Sequence, residues 1–345
     1  MSIRNCVAVL AAVAAPCFSP GSRAHAQSVT ATLVGTVLDS SGAVIPDAKI
    51  SVANKGTNVT RTILSNTHGD YIVANLAPGV YQLTAEHEGF RRTIINDVEL
   101  FVNQTARVDV VLQVGTVTEA VEVTGQAPLV ASETSSVGQV IDRNLIGDLP
   151  LKGRAVFELA QLAPATVPRN PRSYIADVRP MPGGQASPAF SAGGARDNNN
   201  GYLVDGVEAM DPHYMTPSMF PPMDSIQEFK VQTNAYAAEF GHFSVQVNAT
   251  TRSGTNQWHG SAYDFLRNNA LDAANFFDNF AGLRKSPLRY NLFGATLGGP
   301  VRIPRIYNGR DRTFFFVSYE GTRIRTSRTA QLSVPTTEQR AGDFT

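Results

Sequence analysis

Asn291-Leu-Phe-Gly-Ala-Thr-Leu297 and Thr313-Phe-Phe-Phe-Val-Ser-Tyr-Glu-Gly-Thr322 decide what kind of fold this chain has. In the first, Phe293, Ala295 and Leu297 fall on one side of an extended strand, with Leu292, Gly294 and Thr296 on the other. In the second, Phe315, Val317 and Tyr319 stand opposite Ser318, Glu320 and Thr322. A period of two with unlike faces is the signature of a strand. Each stretch is close to the roughly 9–11 residues that a tilted transmembrane strand needs. Residues 258–267, from Trp258 to Arg267, make a third candidate with poorer alternation. Three strands cannot close a barrel, and an open edge in lipid leaves backbone groups unsatisfied. Either they belong to a soluble sheet or the chain is the front of something longer. The last residues, 339–345, bring no closing element, which favours a truncated sequence.

Working outward, the composition agrees with strands. Of 345 residues 43% are hydrophobic and only 17% charged, with 28 Gly and 20 Pro, which suits a turn-rich β chain better than a helical bundle. Lys plus Arg and Asp plus Glu both number 29, so no basic excess asks for nucleic acid. That balance hides a contrast. Residues 284–328 hold ten Lys or Arg and two acidic residues, read as lumen and turn chemistry, and the rest of the chain is acidic.

Residues 1–26 have the layout of a cleaved signal peptide: Arg4, an apolar run from Cys6 to Ala15, then Ala24-His25-Ala26. Cleavage there removes Cys6 and Cys17, the only cysteines, so a disulfide framework is excluded and export to an oxidising compartment fits. Beyond residue 26 no apolar run exceeds four residues, which excludes a helical span but not a β-barrel.

Between the leader and the long strands lie two further units. Residues 29–113 alternate in short runs, as in Ala48, Ile50, Val52 and Tyr81, Leu83, Ala85 and Ala106, Val108, Val110, Leu112. Turns at Ser40-Ser41-Gly42, Thr67-His68-Gly69-Asp70 and Ala77-Pro78-Gly79 separate them. About seven strands and a β-sandwich are expected. Residues 118–124 are extended and alternating, either the next strand of this chain or a strand donated to another protein's sheet. From Val137 to Ala163 the pattern reads as helical, with Val156, Leu159, Ala160 and Ala163 on one face and Pro164 as the stop. A turn at Asp197-Asn-Asn-Asn200-Gly201 precedes a strand over 202–205, and Val245, Val247 and Ala249 alternate in another. The segment to Gly254 is α+β.

No catalytic constellation emerges. His68, His87, His213, His242 and His259 are not paired at metal-ligand spacing, and there is no nucleophile elbow, phosphate loop or cysteine nucleophile after residue 26. No cofactor is expected.

Gly35-Thr-Val37-Leu-Asp39, Gly42, Ile45-Pro46, Ala48, Gly69-Asp-Tyr71, Leu76-Ala-Pro78-Gly79, Tyr81 and Gly89-Phe90 together resemble the carboxypeptidase regulatory-like domain, a non-catalytic transthyretin-like sandwich. Its likeness to starch-binding-type folds makes carbohydrate a conceivable ligand. From residue 118 onward the chain resembles the N-terminal part of a TonB-dependent outer-membrane receptor of the Oar-like group. Leu149-Pro-Leu151, Gly153-Arg154 and Leu162-Ala-Pro164 resemble the start of the plug; Gly194-Ala-Arg196 and Tyr202-Leu-Val-Asp205-Gly206-Val207 its middle. Ser225-Ile-Gln-Glu-Phe229, Ala238-Glu-Phe-Gly241 and Thr251-Arg-Ser-Gly-Thr-Asn256 resemble its end. Trp258-His-Gly-Ser261, Gly298-Gly-Pro300, Thr313-Phe-Phe-Phe316 and Tyr319-Glu-Gly321 resemble the first barrel strands.

The resemblance implies a signal peptide (1–26), a sandwich (27–113), a TonB box and plug (114–254) and a truncated barrel start (255–345). It implies a TonB box at Thr118, Glu119, Ala120, Val121, Glu122, Val123 and Thr124. The partners implied are TonB, outer-membrane lipid and an extracellular ligand, and the place is the outer membrane of a Gram-negative cell. The activity implied is uptake rather than catalysis. A secreted or surface carbohydrate-binding protein that adheres through its sandwich is the alternative.

Overall fold

In the computed structural model the described residues are 30–116, 120–124, 137–142, 156–168, 190–192, 199–212, 215–234, 243–274, 276–280, 282–285, 287–326 and 334–343, with a few single positions between. The leader at 1–26 lies outside them, as do Leu149-Pro-Leu151, Gly153 and Ala238-Glu-Phe240.

Eight strands, one more than expected, build the sandwich: β1 (Ala31–Asp39), β2 (Lys49–Asn54), β3 (Thr60–Leu64), β4 (Asp70–Leu76), β5 (Gly79–Glu86), β6 (Arg92–Leu100), β7 (Thr105–Arg107) and β8 (Val110–Leu112). In one sheet β1 lies antiparallel to β4 and parallel to β7 and then β8. The other runs β3-β2-β5-β6 and gains β9 (Ala120–Thr124) at its edge. The alternating residues do what their spacing predicts: Ile50, Val52, Leu83 and Ala85 meet Leu33, Val37, Val110 and Leu112 in one buried core. Such side chains contribute about 1.5–3 kcal/mol each. The run from Ala106 to Leu112 is broken at Val108, whose N–H donates to Val34 O while its carbonyl accepts from the Tyr71 hydroxyl at 2.5 Å. Gly35 lies directly under this crossing, and a Cβ there would be 1.9 Å from Val108 O.

The middle unit holds β10 (Val137–Asp142), a 3-10 helix (Val156–Leu162), β11 (Thr166–Pro168), β12 (Phe190–Ala192), β13 (Asn200–Val204), β14 (Val207–Glu208), β15 (Met210–Asp211), β16 (Thr216–Pro217), β17 (Ile226–Asn234) and β18 (Val245–Thr251). Its main sheet is ordered β10-β17-β18-β13-β14, with only the β13–β18 pair parallel. The helical reading of 137–163 is corrected here. Val137–Asp142 is a strand, because its β-branched residues suit a pleated surface and Gly138 lets β17 approach, where a Cβ would lie 2.4 Å from Val231 O. The helical spacing survives as the short 3-10 element that buries Val156, Phe157, Leu159 and Ala160. Phe157 stands edge-on to Tyr202 at 5.3 Å, above the apolar sheet face of Phe229, Val231, Val247 and Ala249. At the end of β13, Asp205 and Gly206 turn the chain with positive φ. Asp205 also binds the Thr251 N–H and hydroxyl at 2.8 and 2.7 Å, which ties this turn to β18.

The last unit is a three-stranded antiparallel sheet: β19 (His259–Asn268), β20 (Leu288–Pro300) and β23 (Phe314–Thr326), with the small pair β21 (Arg302–Ile303) and β22 (Tyr307–Asn308) in the turn between the last two. Register places Ala262, Ala295 and Tyr319 in one row, and Tyr263, Gly294 and Glu320 in the next. Leu297, Val317 and Tyr319 are exposed on the outer face.

Gly35→Val forces a branched side chain against the Val108 carbonyl, and overpacking of this kind costs about 1–3 kcal/mol. Urea denaturation followed through the sandwich tyrosines is expected to show that loss. An unchanged midpoint would mean the β7–β8 crossing does not depend on the glycine.

Candidate functional site

Residues 118–124 were read as a strand for this chain or for another. Ala120–Thr124 is here β9, paired in parallel with β6 of the sandwich from Arg92↔Ala120 to Asn96↔Thr124. Thr118 and Glu119 lie outside the described residues. The backbone therefore takes the plainer of the two readings, and Val121 and Val123 favour the extended state.

β6 runs on from that pairing into the turn Phe101–Gln104, and the middle unit grips this turn. The Val102 N–H donates to both carboxylate oxygens of Glu228, at 2.8 and 3.0 Å. Lys230 Nζ donates to the carbonyls of Val102 and Asn103, both at 2.9 Å. Glu228 and Lys230 keep 4% and 8% of their surface, so both charges are out of water. Burial pushes the Glu228 carboxyl up to about 7 from its ordinary 4.5, opposed by the Val102 N–H and by Lys230. Burial pulls the Lys230 ammonium down, with Glu228 opposing. The period of two puts Glu228, Lys230 and Gln232 on one face of β17, registered against Thr250, Asn248 and Gln246 of β18. That polar face is buried too. The sequence offered the alternation but nothing to say that the polar side would be covered.

A second dock joins the sandwich to the strand sheet. Asp311 accepts from the side-chain amides of Asn58 and Asn256, both at 2.8 Å, and the Asn256 N–H donates to Gly56 O at 2.9 Å. A cavity of about 650 Å³ opens beside this junction, lined by Arg61, Tyr81, Thr251, Arg312 and Phe314 among others.

Arg154, from the Gly153-Arg154 motif, reaches the strand sheet. It is paired with Asp224, and its guanidinium lies 5.1 Å from the Tyr263 ring centre and 4.7 Å from that of Phe265. Tyr263 in turn donates to Glu320 at 2.9 Å. The row holding Tyr263, Gly294 and Glu320 thus faces the middle unit. Among the described residues no three His, Cys, Asp or Glu side chains converge as metal ligands.

A two-sheet sandwich, a mixed sheet gripping it and long antiparallel strands with one apolar face define a class, and the comparisons agree with it. Residues 32–113 match the carboxypeptidase regulatory-like domain, and residues 250–345 match an outer membrane beta barrel domain. Over 320 residues the chain is 29% identical to the TonB-dependent transporter Oar of Myxococcus xanthus, covering 91% of this chain and 28% of that protein. The resemblance to the Oar-like group thus holds over nearly the whole chain, which spans less than a third of that relative's length. Among solved structures, catechol 1,2-dioxygenase from Acinetobacter sp. ADP1 is 14% identical over 31% of this chain and 60% of its own, with a TM-score of 0.23. The dioxygenase domain of a carbohydrate-binding fusion protein from Streptomyces sp. SirexAA-E is 14% identical over 28% and 93%, with a TM-score of 0.21. At these scores neither bears on the chemistry of this chain.

The grip on Val102 carries a pH dependence. The folded carboxyl of Glu228 holds its proton to about pH 7 and the unfolded one only to about 4.5. The contribution of Glu228 to stability is therefore fully present below pH 4.5 and is lost as pH rises towards 7, by an amount on the order of a few kcal/mol, and the lowered Lys230 works in the opposite sense at higher pH. Hydrogen exchange at the Val102 amide, corrected for intrinsic rates, is expected to lose protection across that window. Glu228→Gln is expected to flatten the profile; a profile that keeps its slope in this variant assigns the titration elsewhere.

Proposed function

We propose that this chain is the front of an outer-membrane TonB-dependent transporter, exported through the 1–26 leader. On this reading 114–254 is the plug, 255–345 opens the barrel and 118–124 is the segment that TonB engages. The observation that carries it is Arg154. A cation from the middle unit, paired to Asp224, lies against the inward aromatic row of strands whose outer row is Leu297, Val317 and Tyr319. A body seated on the polar side of such strands, with apolar side chains on the far side, is what a plugged membrane barrel requires. Trp258 and Phe315, in edge-on contact at 5.4 Å, supply aromatic residues at the end of the strands nearest the sandwich. That end is then periplasmic, which puts the sandwich and β9 where TonB can reach them. Similarity to a TonB-dependent transporter over 91% of this chain supports the same reading.

The role is uptake, not catalysis. The sandwich aromatics Tyr71 and Tyr81 are buried, so they offer no exposed platform to a sugar.

Main-chain pairing tolerates changed side chains but not a lost donor. Val121→Pro in the intact protein is expected to weaken capture of the TonB periplasmic domain at least about tenfold, with the amount in the outer-membrane fraction unchanged. Undiminished capture would sink the assignment of 118–124, and release of the protein by a salt wash would favour the secreted adhesin.

A further inference from the structure

We infer that the sandwich presents β9 to TonB as a preformed sheet edge, so that TonB adds as a sixth strand to β3-β2-β5-β6-β9 without β9 leaving β6. This rests on the reading of 118–124 given above.

A strand has two hydrogen-bonding edges. One edge of β9 is taken by β6 over five residues in register. Among the described residues no strand pairs with the other. β9 is thus held extended, with alternate N–H and C=O groups pointing outwards, and that is the condition for strand addition. A segment already ordered in its bound conformation loses less entropy on association than a free tail, whose backbone must be fixed as it binds. The occupant that fits is an extended peptide strand able to satisfy a row of main-chain groups.

The same arrangement gives a pull on β9 somewhere to go. Load leaves β9 by two routes. The covalent route runs through residues 125–136 into β10, the edge strand of the plug sheet. The non-covalent route crosses to β6 and follows it into the turn gripped by Glu228 and Lys230. Both end on one strand: β10 pairs with β17 at Asp142↔Glu228 and Val140↔Lys230, the two residues that hold Val102 and Asn103. β17 is therefore loaded from both sides at one place. The sandwich acts as a mount that orients the contact strand and shares its load with the plug.

The test locks β9 in place. Ile94 and Glu122 are Cα partners across the β6–β9 pair, so Ile94→Cys with Glu122→Cys in the intact receptor places two thiols for a disulfide, verified by mass. Presentation predicts that the oxidised receptor binds the TonB periplasmic domain within about threefold of the reduced form. Binding at least about tenfold weaker on oxidation, and restored by reductant, overturns the proposal, because the strand must then leave β6. Loss of binding in both forms overturns presentation while the reading of 118–124 stands, because main-chain addition to a preformed edge tolerates changed side chains. Hydrogen exchange on the unmodified receptor is a second measurement that needs no lock. Amides of 92–96 that stay protected while 120–124 gain protection support presentation; loss of protection at 92–96 overturns it.

Discussion

The dock between the sandwich and the middle unit depends on how a main-chain turn is satisfied away from water. In the turn Phe101–Gln104 the Phe101 N–H donates to the Gln104 side chain and the Gln104 carbonyl accepts from the Thr32 N–H, which leaves the Val102 N–H and the carbonyls of Val102 and Asn103 to partners from the middle unit. Glu228 and Lys230 supply them from one strand, two residues apart, Glu228 meeting the Val102 N–H and Lys230 the carbonyls of Val102 and Asn103. Removing either side chain leaves buried main-chain groups of the turn without their partner, at a cost of about 1–3 kcal/mol each. Each side chain thus answers for a different part of the turn.

That property decides how the units relate. The sandwich has its own core and the middle unit another. Between them Val102 is held through its main chain by Glu228 and Lys230. An interface of this kind fixes orientation through hydrogen bonds rather than through apolar area. The junction at Asp311, built from Asn58, Asn256 and Gly56, adds a second fixed point on the strand sheet. Two polar docks at separate places constrain a rigid body much more than one.

The sandwich and the long strands were legible because each of their side chains answers to local rules. Ile50, Leu83 and Ala85 alternate and are buried; Phe293, Ala295 and Leu297 alternate and share a face. The helix over 137–163 was misread because Val137–Asp142 is an edge strand, defined only by β17 some ninety positions later, and its few apolar residues fit either period. The grip of Glu228 and Lys230 escaped for a related reason. Their alternation is plain, but their burial comes from residues 126 to 128 positions away. Residues 120–124 were seen to be extended; which edge they would choose depended on β6, an equally distant fact.

Trp258 is the single tryptophan of the chain. It stands half-exposed against Phe315, beside the stretch whose Asn256 bonds the sandwich at Gly56 and the strand turn at Asp311. The indole is a built-in optical reporter at the place where sandwich and strands meet. Its emission wavelength and quenching follow the wetness of that junction without any label being attached, and a shift in the spectrum marks undocking of the sandwich while the strands themselves remain folded.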